Sequence, residues 1–159
     1  MTDLLSFDPG GTTGWARFYY DATTPLQLVD YGQISGGNTG FALWSKTFLA
    51  EDRVDEIVFE DFIDDGRTEF PDVTPLLIKG SIESLWTLEG IPTAIQRNVM
   101  KAHAPDEMLK EHGLWLRGEP HATDAVRHAL ALLKVRRHIP TMRKFWPRRG
   151  GLVALECGA

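Results

Sequence analysis

Four residues at three places in the chain have the chemistry to hold a hard cation. Asp8 ends a short apolar run, Leu4 to Phe7, just before Pro9 Gly10 Gly11. Glu60 ends a second run, Ile57 Val58 Phe59. His121 and Asp124 stand three residues apart at the start of a long apolar-periodic segment, which puts both side chains on one face of a first helical turn. A carboxylate at the buried end of a strand is costly unless it is hydrogen-bonded, cation-bound or solvated. Each residue also has an ordinary structural reading. Asp8 can simply make a turn, Glu60 can be the first surface residue after a strand, and Asp124 can complement a helix dipole beside an exposed His121. Convergence separates the two readings. If the two strands are parallel neighbours, both carboxylates reach one sheet edge, and a helix amino terminus docked there completes a cluster of three carboxylates and one imidazole. Such a cluster repels itself and shifts its pKa values unless divalent cations neutralise it. The hard oxygens suit magnesium or manganese, and the imidazole suits manganese better than calcium. With Cys157 as the single cysteine, a thiolate zinc cage and an intramolecular disulfide are excluded.

The elements that must position these groups are readable from periodicity and punctuation. Leu4 to Phe7 and Thr13 to Tyr20 read as a hairpin, and Leu26 to Ile34 as a third strand between Pro25 and Ser35 Gly36 Gly37. Thr39 to Ala50 spaces Phe41, Trp44 and Phe48 as a helix, and Glu56 to Phe59 is a fourth strand. After the acidic loop Asp61 to Asp72, which includes Asp64 and Asp65, Val73 to Leu88 reads as a helix with Trp86 in the core, and Ile91 to Ile95 as a fifth strand. Pro105 Asp106 Glu107 opens a short helix closed by His112 Gly113. His121 to Arg137 is the last helix, with Ala122, Ala125, Val126, Ala129, Leu132 and Leu133 on one face. The order β-β-β-α-β-α-β-α-α is a mixed α/β plan. Residues 1–140 are expected to form one domain and 141–159 a basic carboxyl-terminal tail.

Composition, at 43% hydrophobic and 25% charged over 159 residues, allows a sizeable core without disulfides. No apolar run approaches the ~20 residues that span a bilayer, and the amino terminus lacks a signal peptide's basic start, so a cytoplasmic protein without membrane partners is expected. The net charge of −5 is unevenly spread, because 125–149 holds eight basic residues, including Arg148 and Arg149, and no acid. Lys134, Arg136, Arg137, Arg143 and Lys144 in this run are either a solvated helix end and tail or a phosphate-binding arm. The Asp8 to Gly14 turn fits neither the dinucleotide fingerprint nor the Walker A loop.

Leu5 Ser6 Phe7 Asp8 Pro9 Gly10 with Thr13 Gly14 Trp15 Ala16, the strand-end Glu60, and His121 Ala122 Thr123 Asp124 Ala125 together resemble the RuvC-type Holliday junction resolvases, especially their phage relatives. The resemblance spans nearly the whole chain. It implies an RNase H-like fold, a mixed five-stranded sheet with three antiparallel opening strands followed by parallel ones, flanked by helices. It also implies a homodimeric, magnesium-dependent endonuclease that nicks two opposed strands of a four-way DNA junction, leaving 5′-phosphate and 3′-hydroxyl ends. Carried over by position, Asp8 would bridge two metal ions, Glu60 would hold one and His121 with Asp124 the other; manganese could substitute. The family's aromatic wedge falls nearest Phe62, with Phe70 second. The chain departs from the family's Pro-x-x-Val-Lys pattern, since Pro92 Thr93 Ala94 Ile95 is followed by Gln96, with Arg97, Lys101 and His103 offering positive charge nearby. Phosphate contacts would then be rearranged, part of DNA binding passing to the basic run, and substrates could broaden to forks and flaps. A non-catalytic branched-DNA-binding protein is the alternative. An actin-like or sugar-kinase-type ATPase shares the fold, but such proteins bind nucleotide between two domains and 159 residues supply one.

Overall fold

A computed structural model describes residues 1–63, 66–67 and 69–147. Asp64, Asp65, Arg148, Arg149 and Cys157 lie outside the described residues. The strands are β1 (Thr2–Asp8), β2 (Thr13–Tyr20), β3 (Gln27–Ile34), β4 (Glu56–Glu60) and β5 (Thr93–Gln96). They form one sheet in the order β3-β2-β1-β4-β5, with β1, β2 and β3 antiparallel and β1, β4 and β5 parallel. The hairpin-plus-parallel plan read from the sequence is the plan observed.

The period of two sorts side chains onto two faces. Leu5, Phe7, Ile57 and Phe59 pack on one face against α1 (Gly37–Glu51) and α2 (Thr74–Leu88), through Phe41, Ile78, Ile82 and Trp86. Trp86 is fully buried, so it belongs to the core. Leu4 and Val58 pack on the other face with α4 (Pro120–Val135), α3 (Asp106–Glu111) and α5 (Ile139–Phe145). Ser6, Asp8, Glu56 and Glu60 share the α4 face by the same alternation.

Two elements differ from the sequence reading. Residues 139–145, at the start of the segment expected to be a tail, form a packed helix: the Thr141 hydroxyl accepts the Leu26 N–H at 2.9 Å, and Phe145 is buried. A 3-10 helix at Asn98–His103 crosses the amino-terminal part of α4 and carries Lys101. Enclosed by the sheet and these short elements, α4 is buried nearly all round from Ala122 to Leu133, Arg127 and His128 included. An apolar stripe read from α4 alone cannot show this, because the second covering comes from pieces too short to have a periodicity. Among the described residues no helix is long and apolar enough to cross a membrane.

Candidate active site

The strand ends and the α4 amino terminus meet because the backbone allows an unusually close approach. Gly14 lies opposite Asp8 in the β1–β2 register. A Cβ there would sit 2.0 Å from the His121 carbonyl, so only glycine lets β2 pass under the first turn of α4. The first-turn N–H of His121 donates to Gln33 Oε1 at 3.0 Å, and the Ser6 hydroxyl donates to the Ala125 carbonyl at 2.6 Å. These bonds tie α4 to β3 and β1, one satisfying a donor that no helical partner can.

Asp8, Glu60 and Asp124 come together around one ammonium. Lys101 Nζ lies 2.9 Å from Asp8 Oδ1, 2.5 Å from Glu60 Oε2 and 3.0 Å from Asp124 Oδ2. His121 Nδ1 is 3.1 Å from Asp8 Oδ2, and His128 Nε2 is 2.9 Å from Glu60 Oε2. Asp124 Oδ1 accepts from Arg127 Nε at 3.1 Å, while Arg127 also donates to Asp106 at 2.6 Å and to the Ala104 carbonyl. Burial pushes the Asp8 carboxyl above its ordinary value, against the pull of Lys101. Burial acts the same way on Glu60, but the hydrogen bonds from His128 and Lys101 prevail and hold it down at about 2. Burial likewise opposes the charge on Lys101, and the surrounding carboxylates outweigh it, so its pKa stands above the ordinary lysine value.

All four acid and imidazole candidates from the sequence therefore meet at one place. Lys101, read there as a DNA contact, has its ammonium inside the carboxylate cluster. The sequence assigns no role to His128, marks Gln96 only as a departure from a lysine pattern, and carries Arg127 only as a member of the basic run. The signal for His128 was present in part, because positions 121, 124 and 128 share one face of a helix. Asp8, Glu60 and His128 each offer a donor atom, all within 4.8 Å of one another. The donor set fits a divalent metal: hard oxygens with imidazole, already converging on a cation, and carrying more negative charge than one ammonium balances.

The remaining DNA-contact candidates lie elsewhere. Phe62 is half-buried and lines a cleft beside Glu60 with Pro9, Ile63 and Pro75, whereas Phe70 is 84% exposed. Arg97 is exposed just past β5. Arg136 pairs with Glu56 at 2.6 Å, twelve residues and so about 18 Å along the helix axis from Asp124. Lys134 and Lys144 lie over the Trp146 and Phe145 rings at 4.8 and 5.0 Å, while Arg137 and Arg143 are exposed. Lys134, Arg136 and Arg137 thus stand at the carboxyl end of α4, away from the carboxylates, whereas Arg127 of the same run pairs with Asp124.

No family model matches the sequence, and no curated protein matches it. Solved structures do. Thermus thermophilus RuvC in complex with a Holliday junction substrate superposes with a TM-score of 0.68 at 13% identity, covering 88% of this chain and 98% of that one. A second T. thermophilus RuvC structure gives 0.64 at 14% identity, covering 85% and 95%. The fowlpox virus resolvase in complex with Holliday junction DNA gives 0.58 at 10% identity, covering 83% and 99%. The chain has the RuvC fold, a mixed five-stranded RNase H-like sheet flanked by helices.

Proposed function

We propose that the chain is a divalent-metal-dependent DNA endonuclease that resolves four-way junctions by paired nicks, leaving 5′-phosphate and 3′-hydroxyl ends, and that can act on other branched DNA. The observation that carries this reading is the convergence of Asp8, Glu60 and Asp124, from three separate elements, on one cation position at a sheet edge. The likeness to resolvase structures that hold junction DNA supports it. Asp8, between Glu60 and His121, would bridge two ions; Glu60 would hold one, and Asp124 with His121 the other. Magnesium or manganese there would supply positive charge at the scissile phosphate and the acidity that makes water a nucleophile. The protein's own part is to hold the three carboxylates in place and to release Lys101. Its ammonium, freed from the carboxylates, can then donate to a phosphate oxygen, which reconciles its position with a DNA-binding role.

Two opposed nicks require two sites related by a twofold axis, so the working unit is a homodimer. Leu76 and Leu77 on α2 support this, being about half exposed although the same helix buries Trp86. Phe62 and the exposed Arg97, Arg137 and Arg143 are the nearest candidates for contacts to the junction arms. Residues 1–140 would be the nuclease unit and the basic segment after them a DNA-binding extension, in a protein working in the cytoplasm.

Lys101 itself favours a second reading. If its ammonium is the permanent counter-ion of the cluster, the chain binds branched DNA without cutting it. Incubating purified protein with labelled four-way junction, fork, flap and linear duplex, each with magnesium, manganese or chelator, separates the two. Paired metal-dependent nicks in the junction support the nuclease; equal binding with and without metal, leaving the DNA intact, supports the second reading.

A further inference from the structure

His128 offers a donor atom beside Asp8 and Glu60 but is given no ligand role in the proposed function; it is fully buried and touches the cluster from inside, through Glu60. Only one orientation of the neighbouring Gln96 amide suits its surroundings. With its oxygen accepting the Leu132 N–H at 3.0 Å, its nitrogen donates to the His128 carbonyl at 3.2 Å and to His128 Nδ1 at 3.0 Å. Nδ1 is then a bare acceptor, so the ring proton sits on Nε2, which donates to Glu60 Oε2 at 2.9 Å. Gln96 is itself held in place: it ends β5 directly beside Glu60 in the β4–β5 register and is buried.

We propose that His128, its tautomer set by Gln96, is a positioning residue for Glu60, fixing the plane in which that carboxylate meets a metal ion. The inference rests on the metal-dependent reading above. It also gives a role to the glutamine found where the sequence departs from a lysine pattern. A lysine at 96 could only donate, and could not accept the Leu132 N–H while donating to Nδ1. The amide can do both, and so it joins β5, α4 and the Glu60 end of β4 through one side chain. A carboxylate held by an oriented N–H from the protein side loses the freedom to turn away. Outer partners of metal-binding carboxylates and imidazoles act in this way.

The test compares wild type with His128→Phe, which keeps a ring but no donor, His128→Gln, which restores an N–H, and Gln96→Leu, which leaves the His128 ring in place and removes its Nδ1 partner along with the amide's bonds to the His128 carbonyl and the Leu132 N–H. Manganese affinity of the metal-free protein is read by calorimetry, junction affinity in chelator by gel shift, and cleavage across a manganese titration. His128→Phe is expected to weaken manganese binding about 10- to 100-fold, with junction affinity in chelator unchanged. Its turnover should recover at high manganese, so that the metal requirement shifts more than kcat. His128→Gln should regain most of the loss, and Gln96→Leu should fall between it and His128→Phe; if the phenylalanine variant does not fold, Gln96→Leu carries the test alone. In metal-free wild type, the ¹⁵N spectrum should show His128 protonated at Nε2 and bare at Nδ1; a protonated Nδ1 overturns the proposal. Manganese affinity within about twofold of wild type in folded His128→Phe, or in Gln96→Leu if it stands alone, overturns the positioning role while leaving the nuclease reading intact. A wild type that binds no manganese overturns the reading and the inference together.

Discussion

Glu56 and Glu60 are the same residue type, on the same strand and the same face, about 13 Å apart at the rise of an extended chain. Glu56 has a guanidinium and a phenol to itself: Arg136 at 2.6 Å and the Tyr20 hydroxyl at 2.5 Å. Glu60 shares one ammonium with Asp8 and Asp124. The first arrangement is complete and clamps the far end of α4 to the sheet. The second has more carboxylates than cations, a state a folded protein maintains at a cost unless something else binds there. What marks a functional site here is the unbalanced charge around a glutamate, not the glutamate.

The difference between the two ends can be broken most forcefully at Asp8. Asp8→Asn should lower junction cleavage by at least about 10³-fold, since bound metal contributes several kcal/mol of transition-state stabilisation. Junction binding should survive, and nicking of labelled junctions alongside gel shifts checks both. Full activity in this variant would erase the distinction between the ends.

Lys101→Met sharpens the contrast from the other side by removing the cation that Asp8, Glu60 and Asp124 share. The metal-free protein should lose about 3 kcal/mol in urea unfolding at pH 7, and magnesium should restore more stability to the variant than it adds to wild type. Glu60 sits at about 2 in the fold, below its ordinary value near 4.5. Its pairing therefore stabilises the protein fully above pH 4.5, and that contribution is lost as the pH falls through this window toward 2.

At the far end, Glu56→Gln should cost about 1–3 kcal/mol of stability and leave nicking within about twofold of wild type, because the pair it breaks lies about 13 Å along β4 from the Glu60 end. Burial, and then Glu56, push the Tyr20 phenol up to about 12. Folding therefore favours the neutral phenol; its stabilisation is complete below pH 10 and lost as the pH rises toward 12. Ultraviolet titration should find one late-ionising tyrosine, and Glu56→Gln should bring its ionisation to lower pH. The smallest effect is expected at Arg143, an exposed member of the basic run. Arg143→Ala should reduce the salt dependence of junction binding by about one unit of log–log slope without moving the nicks.

Much of this was legible in the sequence because it is local. Alternation in Thr13 to Tyr20, the glycine and proline stops, and the β-branched run before Glu60 each report on a strand through its own neighbours. The 3-10 helix at 98–103 and the helix at 139–145 were missed because each is too short to show a period, and the basic residues in the latter read as tail. Lys101, Arg127 and His128 were misweighed for a related reason. A lysine or arginine in a basic stretch looks solvated until the fold buries it, and a histidine within an alanine-rich helix looks like core until its ring nitrogens meet Glu60 and Gln96.

The sequence by itself determined which groups could act and where along the chain they stand: Asp8 and Glu60 at strand ends, His121 and Asp124 on one helical turn. These follow from periods of two and of about 3.6, which every short segment carries within itself. Only the tertiary structure decided which cation sits among the carboxylates, which glutamate is balanced, and that a glutamine on β5 orients a histidine on α4. Those depend on contacts between residues about 20 to 120 positions apart, which form only when β1 and β4 lie parallel and Gly14 admits the first turn of α4 against them.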